Sequence, residues 1–378
     1  MVSLDDPVAL RRADEHGMLG LYLGWADAIL DALKRAEQAR LPAELRTRRG
    51  VVRYEKPSAV VVVGMGGSAI GGDLLRDLLW DRLEVPIEVC RDYHLPAWVK
   101  AGSLVVAISY SGNTEETLTA FSEALGRGCM VMAITSGGIL GQLCRRLGAP
   151  LVEVPKGYPP RAALPYLFMP LLVLMERLGL ASGLIEQARR AADTLRRMAG
   201  ELGPDVPAEQ NEAKKLALEI LGTIPVVYGF GRFRSVAYRL KTQFNENSKM
   251  PSFANWFPAL NHDEIVGWEG EEALTKTLSV LLIRSRDEPP EVRRRIELTR
   301  RIALHKASKI LEIWARGSEP LEQMLSALYV GELATLYLAL ARDVSPYEIA
   351  SINALKAGMA ELGLAEKARR AAEALLLG

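Results

Sequence analysis

Leu104-Val105-Val106-Ala107-Ile108-Ser109-Tyr110-Ser111-Gly112-Asn113-Thr114-Glu115-Glu116 is the stretch that decides the fold. An apolar, β-branched run stops abruptly at Ser109, and three hydroxyl residues follow within six positions before a helical pattern begins. A continuous apolar run of this kind suits a parallel strand buried on both faces. A helix N-terminus reached through a hydroxyl-rich loop suits an anion, because its first N–H groups lack partners and the helix dipole favours negative charge. The loop contains no lysine and no GxxxxGK[ST], so a nucleoside triphosphate fits poorly and a terminal phosphate on a small molecule fits better. The plainer alternative is a helix cap in which Ser or Thr satisfies the first turn.

Similar apolar runs lie outward from this stretch at 59–63, 86–90, 129–134 and 151–154, with helical patterns between most of them. Such alternation predicts a parallel sheet covered on both faces. A helix-rich segment over 162–202 closes this half, and Gly203-Pro204-Asp205-Val206-Pro207 reads as a break. The pattern then restarts. Pro225-Val-Val-Tyr-Gly229-Phe-Gly231 echoes Val61-Val-Val-Gly64-Met-Gly66, and Ser68 and Ser235 open the helices that follow. Further strands are expected at 277–283 and 309–314, with a basic helix over 291–305 between them. The weak repeat predicts two related α/β domains rather than one large sheet, with helical N- and C-terminal extensions. The expected boundaries are 1–45 for a helical lead-in, 46–202 and 208–343 for the domains, and 344–378 for C-terminal helices. In the lead-in, Leu19, Leu21, Leu23, Ala26, Ile29, Leu30 and Leu33 should form one apolar face.

The composition is that of an ordinary globular enzyme, 49% apolar and 25% charged over 378 residues. A net charge of +1 provides neither a nucleic-acid footprint nor a polybasic membrane patch. No apolar run is expected to reach the length of a membrane span, and the charged residues of 1–15 argue against a signal peptide. Cys90, Cys129 and Cys144 are odd in number and form no CxxC, which predicts reduced, buried thiols and a cytoplasmic setting. His16, His94, His262 and His305 show no metal-ligand spacing, so no metal site is expected. His16 and His94 have no evident partners, and His305 should be a solvated residue of the basic helix.

Gly64, Gly66 and Ala69 satisfy a GxGxxG/A pattern, with Glu88 and Asp92 about where a ribose carboxylate would lie. A nicotinamide-dependent dehydrogenase is therefore one reading. The second loop, Ser109–Thr114, has no place in it, and the pair Gly71-Gly72 weakens the following helix by about 1 kcal/mol per glycine relative to Ala. A sugar lying across two Gly/Ser loops accounts for both features. Glu246, in Phe244-Asn-Glu246-Asn-Ser-Lys249, ends a helix where a carboxylate opposes the dipole, a setting that suits a base. The alternative is a solvated glutamate paired with Lys249. His262 lies in the polar loop Asn261-His-Asp-Glu264. Arg161 is the lone cation in Pro159-Pro-Arg161-Ala-Ala-Leu-Pro165 and needs an anionic partner, structural or in a transition state.

Taken together, Gly64–Asp73, Ser109–Glu116, Pro160–Pro165, Glu246–Lys249 and Asn261–Glu264 closely resemble the bifunctional phosphoglucose/phosphomannose isomerases, in the same order and across about residues 45 to 360. The resemblance implies an α/β chain of two doubly wound, flavodoxin-like parallel-sheet sugar isomerase domains, a homodimer, and no metal or nucleotide cofactor. It also implies an aldose–ketose isomerase that interconverts glucose 6-phosphate, and mannose 6-phosphate, with fructose 6-phosphate through a cis-enediol. By matching motif, Ser109, Ser111 and Thr114 would hold the sugar phosphate and Gly67 and Ser68 the sugar. Arg161 would stabilise the enediolate, Glu246 would move the proton between C1 and C2, and His262, lent by the partner subunit, would help open the ring. Ile352-Asn-Ala-Leu-Lys356 fits the family's late lysine, which makes Lys356 a further catalytic candidate. The chain departs from the pattern in its N-terminal extension and in Asp343-Val-Ser-Pro-Tyr-Glu-Ile349, which lacks the Thr-Pro preceding that lysine. A sugar-phosphate-binding regulator without catalysis is the alternative; the short, neutral N-terminal segment and the retained Glu246, His262 and Arg161 favour chemistry.

Overall fold

The computed structural model describes residues 2–376. The chain forms two units, one from residues 27–186 with 349–378 (the N-sheet unit) and one from residues 1–26 with 187–348 (the C-sheet unit). Three helices, α1 (Pro7–Ala13), α2 (Met18–Leu23) and α3 (Trp25–Gln38), open the chain, and the boundary between units falls within α3. The expected helical lead-in therefore stops at Gln38. Residues Glu44–Thr47 (β1) and Gly50–Arg53 (β2) instead pair as an antiparallel hairpin. Of the expected apolar face, Leu19, Ala26, Ile29 and Leu33 are buried and Leu30 is exposed.

The N-sheet unit continues with β3 (Ala59–Val63), α4 (Ile70–Leu78), β4 (Ile87–Cys90), β5 (Ser103–Ile108), α5 (Glu115–Gly126), β6 (Met130–Thr135), α6 (Gly138–Leu147), β7 (Leu151–Glu153) and α7 (Leu164–Arg177). Its five strands are all parallel, in the order β4-β3-β5-β6-β7. This is the flavodoxin-type order, which reverses between β3 and β5. Every residue of β3, β5 and β6 is buried, as their unbroken apolar runs require. Gly71 and Gly72 have a packing explanation. A Cβ at Gly72 would lie 2.8 Å from the Val62 side chain, and one at Gly71 3.4 Å from the Leu167 carbonyl oxygen. These glycines seat α4 on the sheet and on α7, so they carry no argument for a sugar.

After α8 (Leu184–Leu202), the C-sheet unit continues with α9 (Glu212–Ile220), β8 (Ile224–Phe230), α10 (Arg234–Glu246), β9 (Phe253–Phe257), α11 (Glu272–Thr275), β10 (Leu278–Arg284), α12 (Pro290–Ile302), β11 (Lys309–Trp314) and α13 (Pro320–Ala341). Its strands are again parallel, in the order β11-β10-β8-β9. This is the same winding with one strand fewer. The repeat extends to backbone detail: Gly66 has φ +49° and Gly231 φ +46°, each opening a short 3-10 turn after the first strand. Helix α13 corrects the expectation about membrane-length runs. It is long and apolar enough to span a bilayer, yet every residue from Leu321 to Ala341 is buried, so it is a core helix. Helices α14 (Ala350–Ala360) and α15 (Leu364–Glu373) end the chain. Ala368 and Ala372 of α15 pack into the N-sheet core with Leu118 and Phe121, whereas α14 buries none of its residues.

Candidate active site

In open α/β sheets, ligands bind outside the carboxyl ends of the strands where the order reverses. In the N-sheet unit this point is flanked by the loops leaving β3 and β5. Gly64 permits their approach, since a Cβ there would lie 2.9 Å from the carbonyl oxygen of Ile108, the residue before Ser109. Gly67 permits a second approach. Its Cβ would lie 3.3 Å from the Arg161 Cα and 3.3 Å from the Pro160 carbonyl oxygen. The two glycines thus bring the glycine turn, the hydroxyl loop and the Arg161 turn together, with Ser68 and Arg161 almost wholly buried at 7% and 2% exposure.

The hydroxyl loop is organised from within. Ser109 and Thr114 share a 2.8 Å hydrogen bond, the Gly112 N–H donates to Ser109 Oγ, and the Asn113 N–H donates to Ser111 Oγ. Thr114 occupies the N-cap of α5 in extended conformation, but its side chain does not cap the helix. The plain capping alternative therefore fails for Thr114. Gly112 has φ +71°, and a Cβ there would lie 1.9 Å from the Gly137 carbonyl oxygen, so only glycine fits. Asn113 Oδ1 accepts from the Ile139 N–H, which ties the loop to the start of α6.

Tyr110 is the residue that sequence reasoning missed. Its hydroxyl donates to the Pro155 carbonyl and accepts from the Tyr158 N–H, both at 2.8 Å. It fastens the segment leading to Arg161 onto the phosphate-type loop, and burial pushes its pKa upward. No local signal could have shown this, because both bonds reach more than forty residues along the chain. On the other side of the loop, the Tyr93 hydroxyl donates to Glu115 Oε1 at 2.7 Å, a bond that helps push the phenol up to about 12.

The dinucleotide reading is not supported by the strand order, which differs from the 3-2-1-4-5-6 order of dinucleotide folds. Glu88 and Asp92 are solvent-exposed, and the buried Asp73 pairs with Arg76 and Arg91.

In the C-sheet unit, the equivalent loop after β10 reads Ser285-Arg286-Asp287-Glu288 rather than a hydroxyl run. Arg284, the last residue of β10, donates to Glu288 and Glu312 at 2.7 Å each. This loop carries an ion-pair network in place of a hydroxyl run. Glu246 is the last residue of α10 and half-buried; Lys249 Nζ donates to its main-chain carbonyl. His262 is exposed on a loop held at both ends. The Asn261 amide donates to Thr299 Oγ1 at 2.8 Å, and Glu264 accepts from Tyr228 and from Asn255. Lys356 lies on α14, exposed.

Two histidines expected to lack partners have them: His16 stacks on Tyr347 with ring centroids 3.9 Å apart, and His94 Nδ1 lies 3.7 Å from Glu123. His305 is exposed as expected, but it lies on the 3-10 turn Leu304–Lys306 and not on the basic helix, which ends at Ile302. The three cysteines are free and buried, and burial pushes Cys129 up to about 11 and Cys144 up to about 12. Among the described residues, no group of three His, Cys, Asp or Glu side chains could hold a metal ion.

A bifunctional phosphoglucose/phosphomannose isomerase from Caldicellulosiruptor bescii is 38% identical over 312 residues, covering 82% of this chain and 92% of that protein. The chain belongs to the bifunctional phosphoglucose/phosphomannose isomerase family. The family member from Thermoplasma acidophilum is 35% identical over 83% of this chain and 95% of its own length. Residues 209–359 match the model of the bacterial phospho-glucose isomerase C-terminal SIS domain, a segment that takes in Glu246, His262 and Lys356. Among solved structures, a hypothetical protein from Thermus thermophilus superposes with TM-score 0.70 at 16% identity, covering 93% of each chain. That likeness shows the fold.

Proposed function

We propose that this chain interconverts glucose 6-phosphate and mannose 6-phosphate with fructose 6-phosphate through a cis-enediol. The observation that carries the reading is the meeting of the glycine turn, the hydroxyl loop and Arg161 at the switch point of the N-sheet. The phosphate docks on Ser109, Ser111 and Thr114, aided by the first N–H groups of α5. Gly67 and Ser68 contact the sugar. Being remote from the reacting carbons, the phosphate holds C1 and C2 in place for reaction.

The substrate is a cyclic hemiacetal, and His262, supplied by a partner subunit, assists ring opening. Glu246 then takes the C2 proton of the aldose and returns it at C1, a general-base contribution of about 10²- to 10⁴-fold. Arg161 balances the negative charge that develops on the enediolate oxygens, where a fixed cation in a water-poor setting has its largest effect. Lys356, at the position that fits the family's late lysine, is the further catalytic candidate. Glucose and mannose phosphates differ only at C2, so one enediol serves both.

Helix α14 supports a homodimer. It is an 11-residue helix containing Ile352, Leu355 and Met359, yet it buries nothing. Helices of that length depend on tertiary packing, and a second copy would supply it. The free, buried cysteines accord with a cytoplasmic enzyme. The test is incubation with fructose 6-phosphate and no added cofactor. Formation of an aldose phosphate supports the isomerase; binding without conversion supports the sugar-phosphate regulator instead.

A further inference from the structure

Helix α13 is buried from Leu321 to Ala341, so a polar side chain within it needs a partner. Thr335, at 0% exposure, has three links. Its hydroxyl donates to the Glu332 carbonyl at 2.7 Å and accepts from Asn247 Nδ2 at 3.0 Å, and its own carbonyl accepts from Ser248 Oγ at 2.6 Å. Asn247 and Ser248 are also fully buried, and they are the two residues directly after Glu246. Arg342, just beyond α13, donates to the Ser248 carbonyl, and the Asn245 amide donates to the Met250 carbonyl at 2.8 Å. The backbone on both sides of Glu246 is therefore pinned at a helix end, where chains otherwise fray.

We infer that Thr335, together with Asn247 and Ser248, forms a positioning clamp that fixes the Glu246 carboxylate for proton transfer. The inference rests on the reading of Glu246 as the base. Apolar residues of the same shape would pack α10 against α13 equally well. A polar tie selects one register, and register matters here because a misplacement of about 1 Å can cost on the order of 10²-fold in rate.

The test is Thr335→Val, which keeps the side-chain shape but strips the acceptor from the Asn247 amide, with Ser248→Ala as a milder second variant. With glucose 6-phosphate deuterated at C2, kcat should fall about tenfold or more while KM stays within about twofold. The share of label delivered to C1 rather than lost to water should fall as well. This share does not depend on how much of the enzyme is folded. Thr335→Ser should restore both quantities. Wild-type kcat and label transfer in both variants would overturn the clamp, as would a fall in kcat with unchanged transfer that Thr335→Ser fails to rescue. Glu246→Gln, run alongside, separates the two ideas: normal turnover there defeats the base assignment, whereas loss there with normal Thr335→Val defeats only the clamp.

Discussion

Tyr110→Phe removes one oxygen and leaves the ring in place. In the structure that oxygen both donates to the Pro155 carbonyl and accepts from the Tyr158 N–H, each at 2.8 Å. Each bond is worth about 1 kcal/mol net, and the half-buried setting of Pro155 and Tyr158 lets water replace part of the loss. The variant should therefore lose about 1–2 kcal/mol, centred on residues 155–161. Arg161 ends that segment, so under the proposed mechanism the penalty should appear where enediolate charge is balanced. If it passes largely to the transition state, kcat falls about tenfold, equivalent to about 1.4 kcal/mol. The Ser109–Thr114 and Ser109–Gly112 bonds do not involve the phenol, so phosphate binding should hold. Steady-state isomerisation of fructose 6-phosphate, combined with calorimetric titration of inorganic phosphate, separates the two effects. A variant with normal kcat and weakened phosphate binding would refute the assignment of Tyr110 to the Arg161 turn.

Under the proposed mechanism, in which Glu246 is the base and the hydroxyl loop the phosphate anchor, Glu246→Gln should lose about 10²-fold or more in kcat while still binding fructose 6-phosphate in a titration. Ser111→Ala and Thr114→Val should raise KM for sugar phosphates with a smaller change in kcat; unchanged KM would move the phosphate elsewhere. Glu123 governs an acid-stability effect. Burial opposes its charge, but the Leu95 N–H and Arg127 outweigh burial and hold its pKa below the ordinary 4.5. A depressed native pKa stabilises the fold above about pH 4.5 and is lost as pH falls through the lower native value. Glu123→Gln should therefore lower Tm at pH 7 and flatten the Tm decline below pH 4.5, as differential scanning calorimetry would show.

The parallel strands were legible because burial on both faces leaves an unbroken apolar run. β3 and β11 match their expected ranges, and β5, β6 and β10 shift by about a residue. Strand β9 was not legible. It lies at the sheet edge and pairs only with β8, so Phe253-Ala-Asn-Trp-Phe257 alternates too irregularly to signal a strand. Helix α13 went unseen for the opposite reason: buried all round, it has no amphipathic period to detect. The allocation of residues 1–26 to the C-sheet unit rests on contacts across some two hundred residues, such as the Gln243 amide donating to the Tyr22 hydroxyl at 2.8 Å. Such contacts leave no local trace. Ser109, Ser111 and Thr114 stand out in the sequence as candidates by their position after a buried strand. The Tyr110 tie and the Thr335 clamp do not, because each joins residues far apart in the chain.

The most direct test of the phosphate site is a crystal of Glu246→Gln soaked with fructose 6-phosphate. The phosphate should lie within hydrogen-bond reach of the Ser109, Ser111 and Thr114 hydroxyls and the first N–H groups of α5. Phosphate density at any other place on the chain, with that loop vacant, would contradict the account.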